Sequence, residues 1–91
     1  MLPIQSIVGL YKSKRGIRFD KDAAASLGLN EQTFNSYVKG RARMPDIAIA
    51  KIADGAQLDA MQVIAAMNLS YAKTTEEEKA FWKERYNTLM M

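Results

Sequence analysis

The sequence predicts an all-α protein, a compact domain of five to six helices whose last member is an extra C-terminal helix. Three observations lead there. Apolar residues recur at helical spacing in one segment after another. Short polar residues stand where helices need N-caps, twice with Glu or Gln three positions on. Glycines fall where the periodic stretches stop. With 91 residues, 48% apolar and 25% charged, the chain suffices for one small core, which a partner would help to stabilise.

The first helix opens near Pro3, whose missing N–H costs nothing in a first turn, and places Ile4, Ile7, Val8 and Tyr11 on one buried stripe. Lys12, Lys14, Arg15, Arg18 and Lys21 cluster around Gly16 in the connection that follows. They serve either as a solvated loop or as a grip on phosphates, and their place just ahead of the next helix pair favours phosphate contact by Lys14, Arg15, Arg18 and Lys21.

Residues 20–40 read as two short helices about a tight turn. Asp20 is expected to cap the first, with Ala23, Ala24 and Leu27 apolar, and Gly28 ends it. Leu29 is an apolar plug and Asn30 the N-cap of the second helix, over residues 30–39. Phe34, Tyr37 and Val38 form its apolar stripe, and Gly40 stops it. Its other face carries Glu31, Gln32, Thr33, Asn35, Ser36 and Lys39, mostly short hydrogen-bonding side chains where a solvated helix would carry more Glu and Lys.

Beyond the pair, Pro45 and Asp46 open a fourth helix with Asp46 as its expected N-cap; Ile49, Ile52 and Ala53 face inward, and Gly55 is expected to end it. Leu58-Asp59-x-x-Gln62-Val63 is a capping box with a hydrophobic staple, and its helix runs to about Tyr71. These two helices read as scaffold. Thr75-x-x-Glu78 is a second capping box, and Glu76, Glu77 and Glu78 suit the positive end of the helix dipole. Phe81, Trp82, Tyr86, Leu89 and Met90 then make a broad apolar and aromatic surface. That surface either completes the monomer core or meets a second copy. Both can hold, with Phe81 or Trp82 inside and Leu89 to Met91 shared.

The chemistry on the second helix of the pair suits the reading of base edges in a major groove. Gln and Asn contact adenine bidentately, and Ser or Thr takes either partner. Gln32, Thr33 and Ser36 point one way and are the leading base contacts. Asn35 turns partly toward the neighbouring helix. Glu31 can accept from a cytosine amino group or exclude other bases by repulsion. Asn30, Lys39, Arg41 and Arg43 lie at the two ends of that helix and just beyond, within reach of phosphates. Charge is distributed accordingly: residues 1–45 carry eight basic and three acidic side chains, whereas residues 46–91 carry five and seven.

The stretch Asp22-Ala-Ala-Ala-Ser-Leu-Gly-Leu-Asn-Glu-Gln-Thr-Phe-Asn-Ser-Tyr-Val-Lys-Gly40, with Arg41, Arg43 and Pro45 after it, resembles the lambda-repressor/Cro (XRE-type) helix-turn-helix family. The resemblance runs from about Asp20 to Asn68. It rests on Ala24, the Leu27-Gly28-Leu29 turn, Phe34, Tyr37, Gly40 and Pro45, with Ala53 and Leu58-Asp59 at the family's fourth and fifth helices. Glu31 stands where that family often has a base-contacting glutamine, and Asp20 near its usual glutamine at the start of the second helix. More loosely, the whole chain is similar to small repressors of filamentous phages and prophages. The resemblance implies a lambda-repressor-like domain over residues 1–72 and a core-completing or dimerising helix over residues 73–91. It also implies a homodimer that regulates transcription, one recognition helix per copy, on a palindromic double-stranded DNA operator.

Other classes fit less well. With no His and no Cys, the usual general base, thiol nucleophile and soft metal ligands are missing, so no enzyme, cofactor, metal or small-molecule substrate is expected. Asp20 and Asp22 are two apart and share no helical face, and the glycines have no phosphate-binding spacing. No apolar run has the length of a membrane span and no signal-peptide pattern opens the chain, so the cytoplasm is the expected location. No aromatic platform accompanies the cations, which disfavours RNA. The competing reading is a protein-interaction module of antitoxin or anti-repressor type that keeps the fold without specific DNA binding.

Overall fold

A computed structural model describes residues 4–89, the side chains of 88 and 89 excepted. Six helices follow one another: α1 (Ile4–Arg15), α2 (Asp20–Ser26), α3 (Glu31–Val38), α4 (Asp46–Ala56), α5 (Ala60–Ser70) and α6 (Glu76–Leu89). Among the described residues there is no strand.

The core is built from one stripe of each helix. Ile4, Ile7, Val8 and Tyr11 of α1 meet Ile49, Ile52 and Ala53 of α4, and Val63, Ala66 and Met67 of α5 close the same cluster. Ala23 and Ala24 are fully buried, small enough to bring α2 close against its neighbours. Phe34 is the one buried side chain of α3, 1% exposed, so Phe34→Ala would cost roughly 3–5 kcal/mol. α6 lies mainly against α5. The radius of gyration is 12.4 Å, close to the value of about 12 Å for a well-packed chain of this length.

Local chemistry explains most of the boundaries. Asn30 adopts an extended backbone (φ −83°, ψ 162°) and its side chain accepts from the Thr33 N–H. Asp59 and Gln62 form the reciprocal capping box at α5. At α6 the Thr75 hydroxyl accepts from the Glu78 N–H, while the Thr75 N–H donates to the Glu78 carboxylate at 3.1 Å. Gly28, at φ +73°, turns the chain between α2 and α3 in a conformation that a Cβ would strain.

Four expectations need correction. Asp20 is not the cap of α2: Phe19 holds the N-cap position without a side-chain bond, and Asp20 pairs instead with Lys12 at 2.6 Å. Asp46 is likewise the first residue inside α4, and Pro45 holds the cap position in an extended conformation (φ −72°, ψ 158°). Gly55 does not stop α4. It sits within the helix because a Cβ there would lie 2.4 Å from the Tyr11 ring, and the turn comes at Gln57, in the left-handed region at φ 58°. On α6 the deeply buried aromatic is Tyr86, 1% exposed, whereas Phe81 is 51% exposed and Trp82 half-buried. Tyr86 therefore belongs to the core of the single chain and not to a face that a partner could cover. The Leu89 side chain, and Pro3, Met90 and Met91 entirely, lie outside the described residues.

Candidate nucleic-acid interface

α2 and α3 are joined by four residues, Leu27 to Asn30, held by bonds from the Gly28 N–H to Ala25 and from the Leu29 N–H to Ala24. Buried Leu27 and half-buried Leu29 anchor this turn in the core. Phe34 pins α3 from beneath, and the Gln5 amide caps its far end by donating to the Val38 carbonyl at 3.1 Å. The outer face of α3 is therefore set from both ends and from below.

That face carries the expected polar side chains. Glu31 and Gln32 are exposed; Thr33, Asn35 and Ser36 are half-buried. Gln32 and Ser36 are one helical turn apart, and the Ser36 hydroxyl donates to the Gln32 carbonyl at 3.2 Å. The Ser36 oxygen keeps its lone pairs, so it presents as an acceptor, while the Gln32 amide offers both donor and acceptor. Asn30 uses its side-chain oxygen in the cap at 2.7 Å, which leaves its –NH2 group to donate outward.

The cations divide into two groups. The side chains of Lys39 and Arg41 are exposed beyond the end of α3 and have no bonded partner among the described residues. Arg43 donates from Nη1 to the Asn68 side-chain oxygen at 2.9 Å. Asn68 is 1% exposed, and its own amide donates to the Ile64 carbonyl at 2.9 Å, which fixes which way the oxygen points. The backbone between these cations is fastened as well: the Ala72 N–H donates to the Gly40 carbonyl at 2.9 Å, and a Cβ at Gly40 would come within 2.1 Å of the Ser70 carbonyl oxygen. Asn68 has no signal of its own in the sequence. It lies 25 positions from Arg43 and reads as part of a scaffold helix.

The second group, at the end of α1, is occupied differently. Lys12 is paired with Asp20, and Lys14 donates to the Gln57 side chain at 3.0 Å. Arg15 lies 6.0 Å from the Tyr11 ring centre and lines, with Tyr11, Ser26, Lys51 and Asp54, a cavity of about 260 Å³ on the α4 side. Lys14 thus meets the residue that ends α4, and Arg15 lies between α4 and the end of α2. Arg18, 5.8 Å from the Phe19 ring, and Lys21 remain exposed around the start of α2.

Glu78 lies within the influence of Arg43. The Thr75 N–H, then the Thr75 hydroxyl and lastly the Arg43 charge hold its carboxyl below the ordinary range. Among the described residues no group of His, Cys, Asp or Glu is arranged to hold a metal ion, and no helix is long and apolar enough to cross a membrane. Comparison of the chain with protein-family models, curated proteins and solved structures finds no match. The functional reading therefore rests on the side chains and their geometry.

Proposed function

We propose that the protein is a sequence-specific double-stranded DNA-binding regulator of transcription with a lambda-repressor-like arrangement of its helices, working in the cytoplasm as a homodimer. One observation carries the reading: α3 is pinned on its inner side by Phe34 and carries exposed Gln32 with half-buried Thr33 and Ser36 beside it, while Lys39, Arg41 and Arg43 follow directly. Short donors and acceptors on a fixed helix suit base edges, and long cations beside them suit phosphates. With two copies, the helices would enter successive major grooves about 34 Å apart. Control would follow by occluding polymerase, without chemistry by the protein.

The test is a titration of the full chain against DNA from upstream of its own gene and against a scrambled duplex, each at two salt concentrations. Preference for the upstream DNA and a steep salt dependence are expected. Gln32→Ala should cost about 1–3 kcal/mol and relax discrimination at a single base pair. Equal affinity for both duplexes defeats the specificity. Absence of binding at low salt defeats the whole reading and leaves the protein-interaction module in its place.

A further inference from the structure

We propose that the outward ridge of α6 is the homodimer interface, formed by the same helix of a second copy packing antiparallel about a two-fold axis at Phe81. This deepens the two-copy part of the reading above and can be measured without DNA.

α6 has two distinct sides. Trp82 is half-buried and Tyr86 buried, so that side is spent on the chain's own core. Glu77, Phe81 and Arg85 are exposed and recur every four residues, which places them along a single ridge of the kind that packs between helices. Phe81 is held in place before any partner arrives. Its ring meets Trp82 edge-on with centroids 5.0 Å apart, and the Arg85 guanidinium lies 5.5 Å from its centre. An exposed aromatic that is already oriented loses little side-chain freedom when it is covered.

The order of charges selects the occupant and its direction. The ridge is acidic before Phe81, at Glu77, and basic after it, at Arg85. A parallel pair would set acid against acid and cation against cation. An antiparallel pair centred on Phe81 sets Arg85 of each copy opposite Glu77 of the other, with Glu78 one residue nearer the axis. Both ridge charges lie four residues from Phe81, about 6 Å along the helix, so one axis makes both contacts at once, as an isologous interface requires. Glu84 falls on the side of the other copy's Glu77, and one helix face per copy buries little area. The pair is consequently weak and concentration-dependent, at the small end of specific interfaces.

Sedimentation velocity of the full chain without DNA, from micromolar to millimolar concentration, tests the arrangement. The natural chain should associate reversibly. Phe81→Asp and Arg85→Glu should each weaken association about tenfold or more. Both positions are exposed, so circular dichroism should show folded helices in each variant. Mixing Arg85→Glu with Glu77→Arg should restore a one-to-one complex, because each contact is again between opposite charges, and both changes in one chain should restore self-association. A natural chain that stays monomeric at millimolar concentration overturns the proposal, as does Arg85→Glu associating like the natural chain or a mixture that fails to pair. Association without any DNA binding would defeat the DNA reading alone, and DNA binding by a strict monomer would defeat this one alone.

Discussion

The ends of α1 and α3 both carry clustered cations, yet the structure gives them different neighbours. At the end of α1, Lys12 is neutralised by Asp20, Lys14 is engaged by Gln57, and Arg15 shares a cavity with both Lys51 and Asp54. Beyond α3, the side chains of Lys39 and Arg41 have no bonded partner among the described residues, and Arg43 is held by the neutral amide of Asn68 with the Glu78 carboxylate within its influence. A carboxylate orients a cation and cancels it, as Asp20 does for Lys12; a neutral amide orients it and leaves the charge intact, as Gln57 does for Lys14 and Asn68 for Arg43. A count of basic residues cannot separate these cases. The partners and their positions do: Asp20 cancels Lys12, Gln57 ties Lys14 to the end of α4, and the side chains of Lys39 and Arg41 stay exposed beyond α3.

The strongest way to break this contrast is Gly40→Ala. The new methyl would meet the Ser70 carbonyl oxygen, and the backbone, at φ +76°, would be strained even in open space. Urea denaturation should show a loss of about 2–4 kcal/mol. Next comes a matched pair of charge removals. On the proposed function, Arg43→Ala should make the logarithmic salt dependence of DNA binding shallower by about 0.9, the share of one phosphate, whereas Lys14→Ala should leave the slope unchanged. Equal effects would erase the distinction between the two clusters. Asn68→Leu keeps the Arg43 charge but removes its orienting oxygen, so affinity should fall by on the order of 1 kcal/mol with the salt slope nearly kept. The smallest effect concerns Glu78. Its carboxyl is held low in the folded chain, chiefly by the Thr75 N–H. The stability it contributes is present above the ordinary glutamate value and is lost as the pH falls through the lowered one. Thermal unfolding across the acid range should therefore show a slightly flatter pH profile for Glu78→Gln than for the natural chain.

How far the fold could be read in advance depended on the range of the deciding interaction. Asn30, the Asp59–Gln62 box and the Thr75–Glu78 box were legible because each closes within three residues. Asp20 and Asp46 misled because an aspartate suits either the cap or the first turn, and only the backbone torsions of Phe19 and Pro45 decide which residue is the cap. Gly55 misled for a longer-range reason. It reads as a stop, yet it is the place where α4 makes room for Tyr11, 44 positions earlier in the chain. In the candidate interface, the polar face of α3 followed from periodicity alone. The sorting of the cations, and Asn68 behind Arg43, depended on which helices meet, which no local pattern encodes.

The fastening of Gly40 reaches beyond stability. The Gly40 carbonyl accepts from the Ala72 N–H in the short connection between α5 and α6, so the segment after α3 is tied to the chain that leads into α6. On the proposed function, with the two copies joined through α6, only the short connection fastened to Gly40 lies between the joint and α3. The pair then behaves as a caliper with a locked jaw. Inserting a single base pair between half-sites turns one of them by about 34° and advances it by about 3.4 Å, and a locked caliper has nothing to absorb that change. On the proposed function, operator spacing, more than operator composition, would then be the quantity such a molecule measures least forgivingly.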